Sequence, residues 1–212
     1  MNETQEQQLS LLRRLIPAYM SGKRLTHTYG VEREIASLCA LYAPEDEFLL
    51  RAAALLHDIT KERTLEKQLQ LCEEFGIIYT DEDKRMPKTF HARTAVEVIR
   101  RDFPEFACDT VLGAVRWHTT GHAGMTVGEK LLYLADYIED TRTFESCVKL
   151  RRSFYDGLEK AKGESGRRRL LQNIMIESFD MTIMDLIDED SPIHPDTVAA
   201  RNSLIMEKEV RE

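Results

Sequence analysis

Cysteine is sparse in this chain, and no two cysteines are close in sequence. Cys39, Cys72, Cys108 and Cys147 lie more than thirty residues apart, so neither a Cys-x-x-Cys clasp for zinc nor a small disulfide scaffold is indicated. Reduced thiols in a cytoplasmic setting fit this usage. Long apolar runs are missing too: no stretch approaches the length of a membrane span. Met1-Asn2-Glu3-Thr4-Gln5-Glu6-Gln7-Gln8 lacks the basic-then-apolar order of a signal peptide. The expectation is a soluble, cytoplasmic protein that binds no membrane. An excess of positive charge is absent as well. With 29 Lys and Arg against 37 Asp and Glu, the net charge is -8 and the pI near 5.4, which argues against a nucleic-acid partner, because such binding neutralises phosphates with basic residues. A local basic pocket for a phosphorylated small molecule stays compatible with that balance. There is no internal repeat, low-complexity segment or clear linker.

What is present is a core-forming pattern at helical spacing. The 212 residues are 42% hydrophobic, enough for one globular unit with a substantial core. Leu12, Leu15, Ile16 and Tyr19 mark a first helix disturbed by Pro17 and ended by Ser21-Gly22. Val31, Ile35, Leu38 and Tyr42 mark a second, closed by Ala43-Pro44, and a third is expected from about Asp46 to Asp58. Thr64, Leu65, Leu69 and Cys72 predict a short helix ending at Gly76, followed by Ile77-Ile78-Tyr79-Thr80 as an extended stretch and Asp81 to Pro87 as a solvated loop. Helices are further expected from His91 to Phe103, through Val111 and Val115 to Trp117, around Leu131 to Ile138, from Arg167 to Asp188, and from Pro195-Asp196 onward. Lys162-Gly163-Glu164-Ser165-Gly166 reads as a flexible hairpin. The fold class is all-α, a single-domain bundle with an N-terminal helix over 1–22, a core over 23–142 and C-terminal helices over 143–212, packed as one unit.

The residues that carry chemistry sit at helix edges. His57-Asp58 follows the apolar run Ala52-Ala53-Ala54-Leu55-Leu56, and His27, His91, His118 and Asp136 lie beside apolar residues elsewhere. Taken singly, His27, His91 or His118 is as well explained by a hydrogen-bonded core histidine. Together they form a set of imidazoles and carboxylates suited to iron, manganese or zinc, carried on different helices as bundle metal sites are. Asp136 lies on or beside an apolar face, where an unpaired carboxylate is costly and calls for a cation or a strong donor. His122, bounded by glycines, and His194, between Pro192 and Pro195, read as loop and turn residues, and Arg167-Arg168-Arg169 reads as a solvated face.

The order His27, His57-Asp58, Asp136 resembles the HD-domain metal-dependent phosphohydrolases, with His91 and His118 where many members carry two further histidines. Leu55-Leu56-His57-Asp58-Ile59-Thr60-Lys61, Trp117-His118-Thr119-Thr120-Gly121 and Glu129 to Glu139 narrow this to the YqeK family, as does the tail Ile193 to Asn202. Two positions depart from that pattern: Ala92 follows His91 where glycine is usual, and Asp140-Thr141-Arg142 replaces Pro-Gly-Arg. The resemblance implies symmetrical hydrolysis of diadenosine tetraphosphate to two ADP, with iron, or manganese or another divalent metal, as cofactor. It implies one metal on His27, His57, Asp58 and Asp136, with two metals as the alternative. Asp58, His91, His118 and Lys61 would be catalytic. Arg24, His27, Lys61, His91, His118, Thr119, Thr120, Gly121, Asp136 and Arg142 would line the substrate, a dinucleoside polyphosphate or ADP. Tyr137 and Phe144 are candidates to stack a base, although such aromatics are more often core. An HD-type nucleotidase or cyclic-nucleotide phosphodiesterase, a non-catalytic nucleotide sensor, and a homodimeric assembly are the alternatives left open.

Overall fold

Some helix starts in this chain are written in local capping chemistry. In the computed structural model, which describes residues 1–209, the Asn2 side chain accepts from the Gln5 amide while Gln5 reaches back to the Asn2 amide, opening α1 (Glu3–Leu15). Pro17, which has no N–H to donate, coincides with a tight 3-10 turn over Ile16–Ala18 before α2 (Gly22–Tyr42). The chain continues through α3 (Glu47–Leu56), α4 (Leu65–Phe75), α5 (Asp81–Lys84), α6 (Phe90–Asp102), α7 (Asp109–Trp117), α8 (Val127–Ile138), α9 (Glu145–Lys160), α10 (Gly163–Asp188) and α11 (Pro195–Glu209). No strand occurs among the described residues, so the all-α expectation holds.

The centre of the bundle is built by α2, α3, α7 and α8, which pack on one another, with α1 against α3 and α6 against α7. Ala52, Ala53 and Ala54 are fully buried and bring the backbone of α3 close to its neighbours. Leu50, Leu55 and Leu56 of α3 meet a core that includes Val31, Ile35, Leu38, Val115, Leu131 and Leu134, all without solvent exposure. Each such leucine contributes about 2 kcal/mol by leaving water. Outside this layer α4 covers α6, α9 covers α8, α10 covers α9, and α11 lies on α10. Among the described residues, no helix is long and apolar enough to cross a membrane.

Residues 77–80 pair into no strand, although Thr80 has extended backbone. Three local expectations change. The acidic stretch after Thr80 is helical, because Thr80 and Asp83 form a reciprocal capping box that starts α5. The supposed hairpin at 162–166 is already the first turn of α10, since the reversal is concentrated in Gly163 at φ +63°. Finally, α3 stops at Leu56, so His57 and Asp58 lie in the turn beyond it.

Candidate active site

Helix ends converge on one point. His57 and Asp58 follow α3, His91 is the second residue of α6, His118 caps α7, His27 lies in the second turn of α2, and Asp136 lies in the last turn of α8. The turn after α3 is fixed by buried polar contacts. Thr60 Oγ1 donates to the His91 carbonyl at 2.9 Å, the Gln68 amide donates to the Thr60 carbonyl at 2.7 Å, and Thr94 Oγ1 donates to Gln68 Oε1 at 2.6 Å. That knot joins the His57-Asp58 turn to α4 and α6.

The four histidines share one orientation. Nδ1 faces the Ala54 carbonyl at 2.6 Å in His57, the Val115 carbonyl at 2.6 Å in His118, and the Lys88 carbonyl at 2.8 Å in His91. In His27 it faces Glu139 Oε1 at 3.0 Å. An acceptor at Nδ1 assigns the proton there, which turns each Nε2 lone pair inward. Asp58 Oδ2 lies 3.3 Å from His57 Nε2 and 3.8 Å from His27 Nε2, whereas Oδ1 lies 3.3 Å from His91 Nε2 and 3.7 Å from His118 Nε2. Asp136 Oδ1 lies 2.9 Å from His27 Nε2 and 3.8 Å from His57 Nε2.

These residues fit a divalent metal. His27 Nε2, His57 Nε2 and Asp58 Oδ1 are buried atoms with no hydrogen-bond partner, and buried lone pairs left unmet are costly. The trios His27, His57, Asp136 and His57, Asp58, His118 each offer ligand atoms within 4.8 Å of one another. Ligands at about 2.1 Å from a common ion are spaced by roughly 3 to 3.5 Å, and the separations above bracket that range.

Basic side chains crowd the same point. Arg24 Nη1 reaches Asp58 Oδ2 at 2.8 Å, Arg142 Nη2 reaches Asp136 Oδ1 at 2.6 Å, and Lys61 Nζ lies 3.2 Å from His91 Nε2. Burial pushes the Asp58 and Asp136 carboxyls up. The surrounding histidines for Asp58, and Arg142 with His27 for Asp136, outweigh burial and hold both well below the usual range. Burial also pulls His27 down, but Asp136 and Glu139 raise it to about 9. Burial with the neighbouring Lys61 ammonium takes His91 down to about 3, and burial lowers His118 and Lys61 as well. Without metal, His91 and His118 are therefore neutral near pH 7. They present lone pairs to the site.

A cavity of about 640 Å³ opens beside the cluster. Thr119 and Arg142 line it while touching the centre, Thr119 Oγ1 lying 3.2 Å from His91 Nε2 and 3.1 Å from His118 Nε2. Tyr137 and Phe144 line it as well, Phe144 being 67% exposed, and Arg85 and Lys88 add positive charge. Thr120 lines it too but donates its hydroxyl to the Gly121 carbonyl. Gly121 faces away, packed against Phe179 and Ala200. His194, read from sequence as a turn residue, also lines the cavity. His122 bonds Glu129 at 3.1 Å and stacks on Trp117, so it is held and not free in a loop. Glu139, absent from the expected site, is fully buried behind His27. Its only sequence signal is an acidic residue just past the end of α8.

Comparison with known proteins places this geometry. The HD domain family matches residues 24–141. A protein of Halalkalibacterium halodurans named symmetrical bis(5'-nucleosyl)-tetraphosphatase is 32% identical, over 92% of this chain and 95% of its own length. A Bacillus subtilis protein of the same name is 28% identical over 88% and 91%. A crystal structure of an HD superfamily hydrolase described as involved in NAD metabolism, from Clostridium acetobutylicum, superposes with a TM-score of 0.79 at 29% identity, over 93% and 97% of the two chains. With its central segment matched and relatives aligned along nearly their whole length, the chain belongs to the HD domain family, in the branch of the symmetrical bis(5'-nucleosyl)-tetraphosphatases.

Proposed function

We propose that this enzyme hydrolyses the central phosphoanhydride of diadenosine tetraphosphate, releasing two ADP. The observation that carries the reading is the convergence of the buried, unpartnered atoms His27 Nε2, His57 Nε2 and Asp58 Oδ1, with Lys61 against His91, beside a cavity lined by Thr119 and Arg142. His27, His57, Asp58 and Asp136 would hold one divalent metal, iron by the family resemblance. Bound there, the metal supplies Lewis acidity that neutralises phosphate charge and acidifies water. Asp58 Oδ1, without a partner among the described residues, is the atom available to accept a proton from the attacking water. Lys61 and Thr119 offer donors to the phosphate chain, and Arg142 and Arg24, now clasping carboxylates, offer guanidinium forks. His91 and His118 orient Lys61 and Thr119 through their Nε2 lone pairs. The cavity takes one nucleoside diphosphate half, with Phe144 and Tyr137 available to stack its base.

The test is product identification. Protein purified without oxygen and loaded with iron is incubated with diadenosine tetraphosphate, and the expected product is ADP alone. AMP with ATP, or faster turnover of nucleoside monophosphates or cyclic dinucleotides, overturns the assignment. Tight ADP binding without hydrolysis would make the protein a sensor.

A further inference from the structure

Three of the four histidines give Nδ1 to a backbone carbonyl, whereas His27 gives it to a carboxylate, that of Glu139. Glu139 is 0% exposed, and its place is built by parts from separate elements. The Thr141 amide donates to Oε2 at 2.7 Å and the Thr141 hydroxyl to Oε1 at 2.7 Å. On α2, close beyond His27, Gly30 leaves a notch for the carboxyl group: a Cβ there would collide with Oε2 and stand 3.0 Å from Cδ. From α9, the Arg151 guanidinium donates to the carbonyls of Ile138 at 2.6 Å, Arg142 at 2.9 Å and Glu139 itself, clamping the turn that carries the carboxylate.

We infer that Glu139 is a positioning residue for His27 and, through it, for metal retention. This rests on the reading of His27 as a ligand. A charged acceptor at Nδ1 fixes the tautomer, sets the ring plane so that Nε2 faces Asp136, and makes the imidazole a stronger donor to a cation than a carbonyl-bonded one. The pair closes over a sequence separation of 112 residues, so it ties the end of α8, which bears Asp136, to the start of α2. Thr141 adds a hydroxyl contact that a glycine at that position lacks.

The experiment titrates manganese ion alone into the metal-free full chain, following free manganese by electron paramagnetic resonance. Folding of each variant is checked by circular dichroism. Glu139→Gln keeps the size and an acceptor oxygen but removes the charge. Its manganese Kd is expected to rise about 10- to 100-fold, with hydrolysis recovering at saturating metal, as a residue acting on retention alone requires. Nitrogen-15 spectra of the metal-free protein taken above about pH 9, where the His27 ring is neutral, should show His27 as the Nδ1–H tautomer in the parent and a tautomer mixture in the variant. Thr141→Val should move Kd in the same direction by less, and serves if Glu139→Gln does not fold. An unchanged Kd in both variants, while His27→Gln loses the metal, overturns the proposal and leaves the metal reading intact. A His27→Gln variant that binds manganese like the parent overturns the ligand reading itself, and the proposal with it.

Discussion

The Nε2 atoms of His91 and His118 face each other at 2.9 Å, although each ring already directs its Nδ1 hydrogen to a backbone carbonyl. Two lone pairs at that distance repel, and the Lys61 ammonium and the Thr119 hydroxyl lie where they relieve it. Adding a proton would relieve it too, but burial sets that proton's affinity low.

The metal-free protein should therefore be acid-sensitive. His91 has a folded pKa near 3, below its unfolded value of about 6.5. The unfolded chain binds more protons between the two, and the stability His91 contributes is present above about pH 6.5 and lost as pH falls toward 3. His27 has the opposite sign: raised to about 9, it contributes stability present below about 6.5 and lost as pH rises through 9. Thermal unfolding of chelator-treated protein should peak near pH 6.5. His91→Gln should flatten the acid limb; an unaltered acid limb would contradict this account.

Asp58→Ala should remove hydrolysis and metal together, with turnover down at least about 100-fold, the low end of general-base effects. Elemental analysis alongside a product assay measures both. Full activity with retained metal in this variant would refute the site.

Lys61→Met and Arg142→Ala each delete a charge-assisted donor beside the cavity. Losing such a bond costs about 1.5–3 kcal/mol, on the order of 10- to 100-fold in kcat/KM. Steady-state kinetics on diadenosine tetraphosphate should show it. Arg142→Ala also frees Asp136 Oδ1 and removes a cation beside the proposed metal site, so metal affinity should not fall there while kcat/KM does.

Gly121→Ala should destabilise the fold while sparing the chemistry. The residue sits at φ +63°, and a Cβ would stand 2.6 Å from Phe179 Cζ and 3.0 Å from Ala200 Cβ. Overpacking with backbone strain costs about 1–3 kcal/mol. The urea midpoint should drop, and manganese Kd should not move.

Legibility in the sequence followed the range of the interactions. The pattern of Val31, Ile35 and Leu38 describes one helix face, and it was readable because each step is three or four residues. Gly76 as a helix stop and Pro195 as a start were readable for the same reason. The short helix α5 was hidden in an acidic stretch, where its capping pair Thr80 and Asp83 is weaker than the loop-like composition around it. His27, His57, Asp58, His91, His118 and Asp136 could be gathered as types, but their tautomers, and the two faces of Asp58 toward different histidine pairs, exist only in three dimensions. Glu139 and His194 escaped for that reason. Nothing near either in sequence reports that one lies behind His27 and the other in the cavity wall.

The polar knot of Thr60, Gln68 and Thr94 bears on how far this molecule can be redesigned. Buried hydrogen bonds of 2.6 to 2.9 Å weaken steeply when their angles open. The spacing between the Asp58 turn and the His91 helix is thus gauged by directional bonds as well as by leucine packing. The outer helices α10 and α11, whose Thr182, Asp185, Leu186 and Thr197 line the cavity, can be recut on that side while the gauge stays fixed.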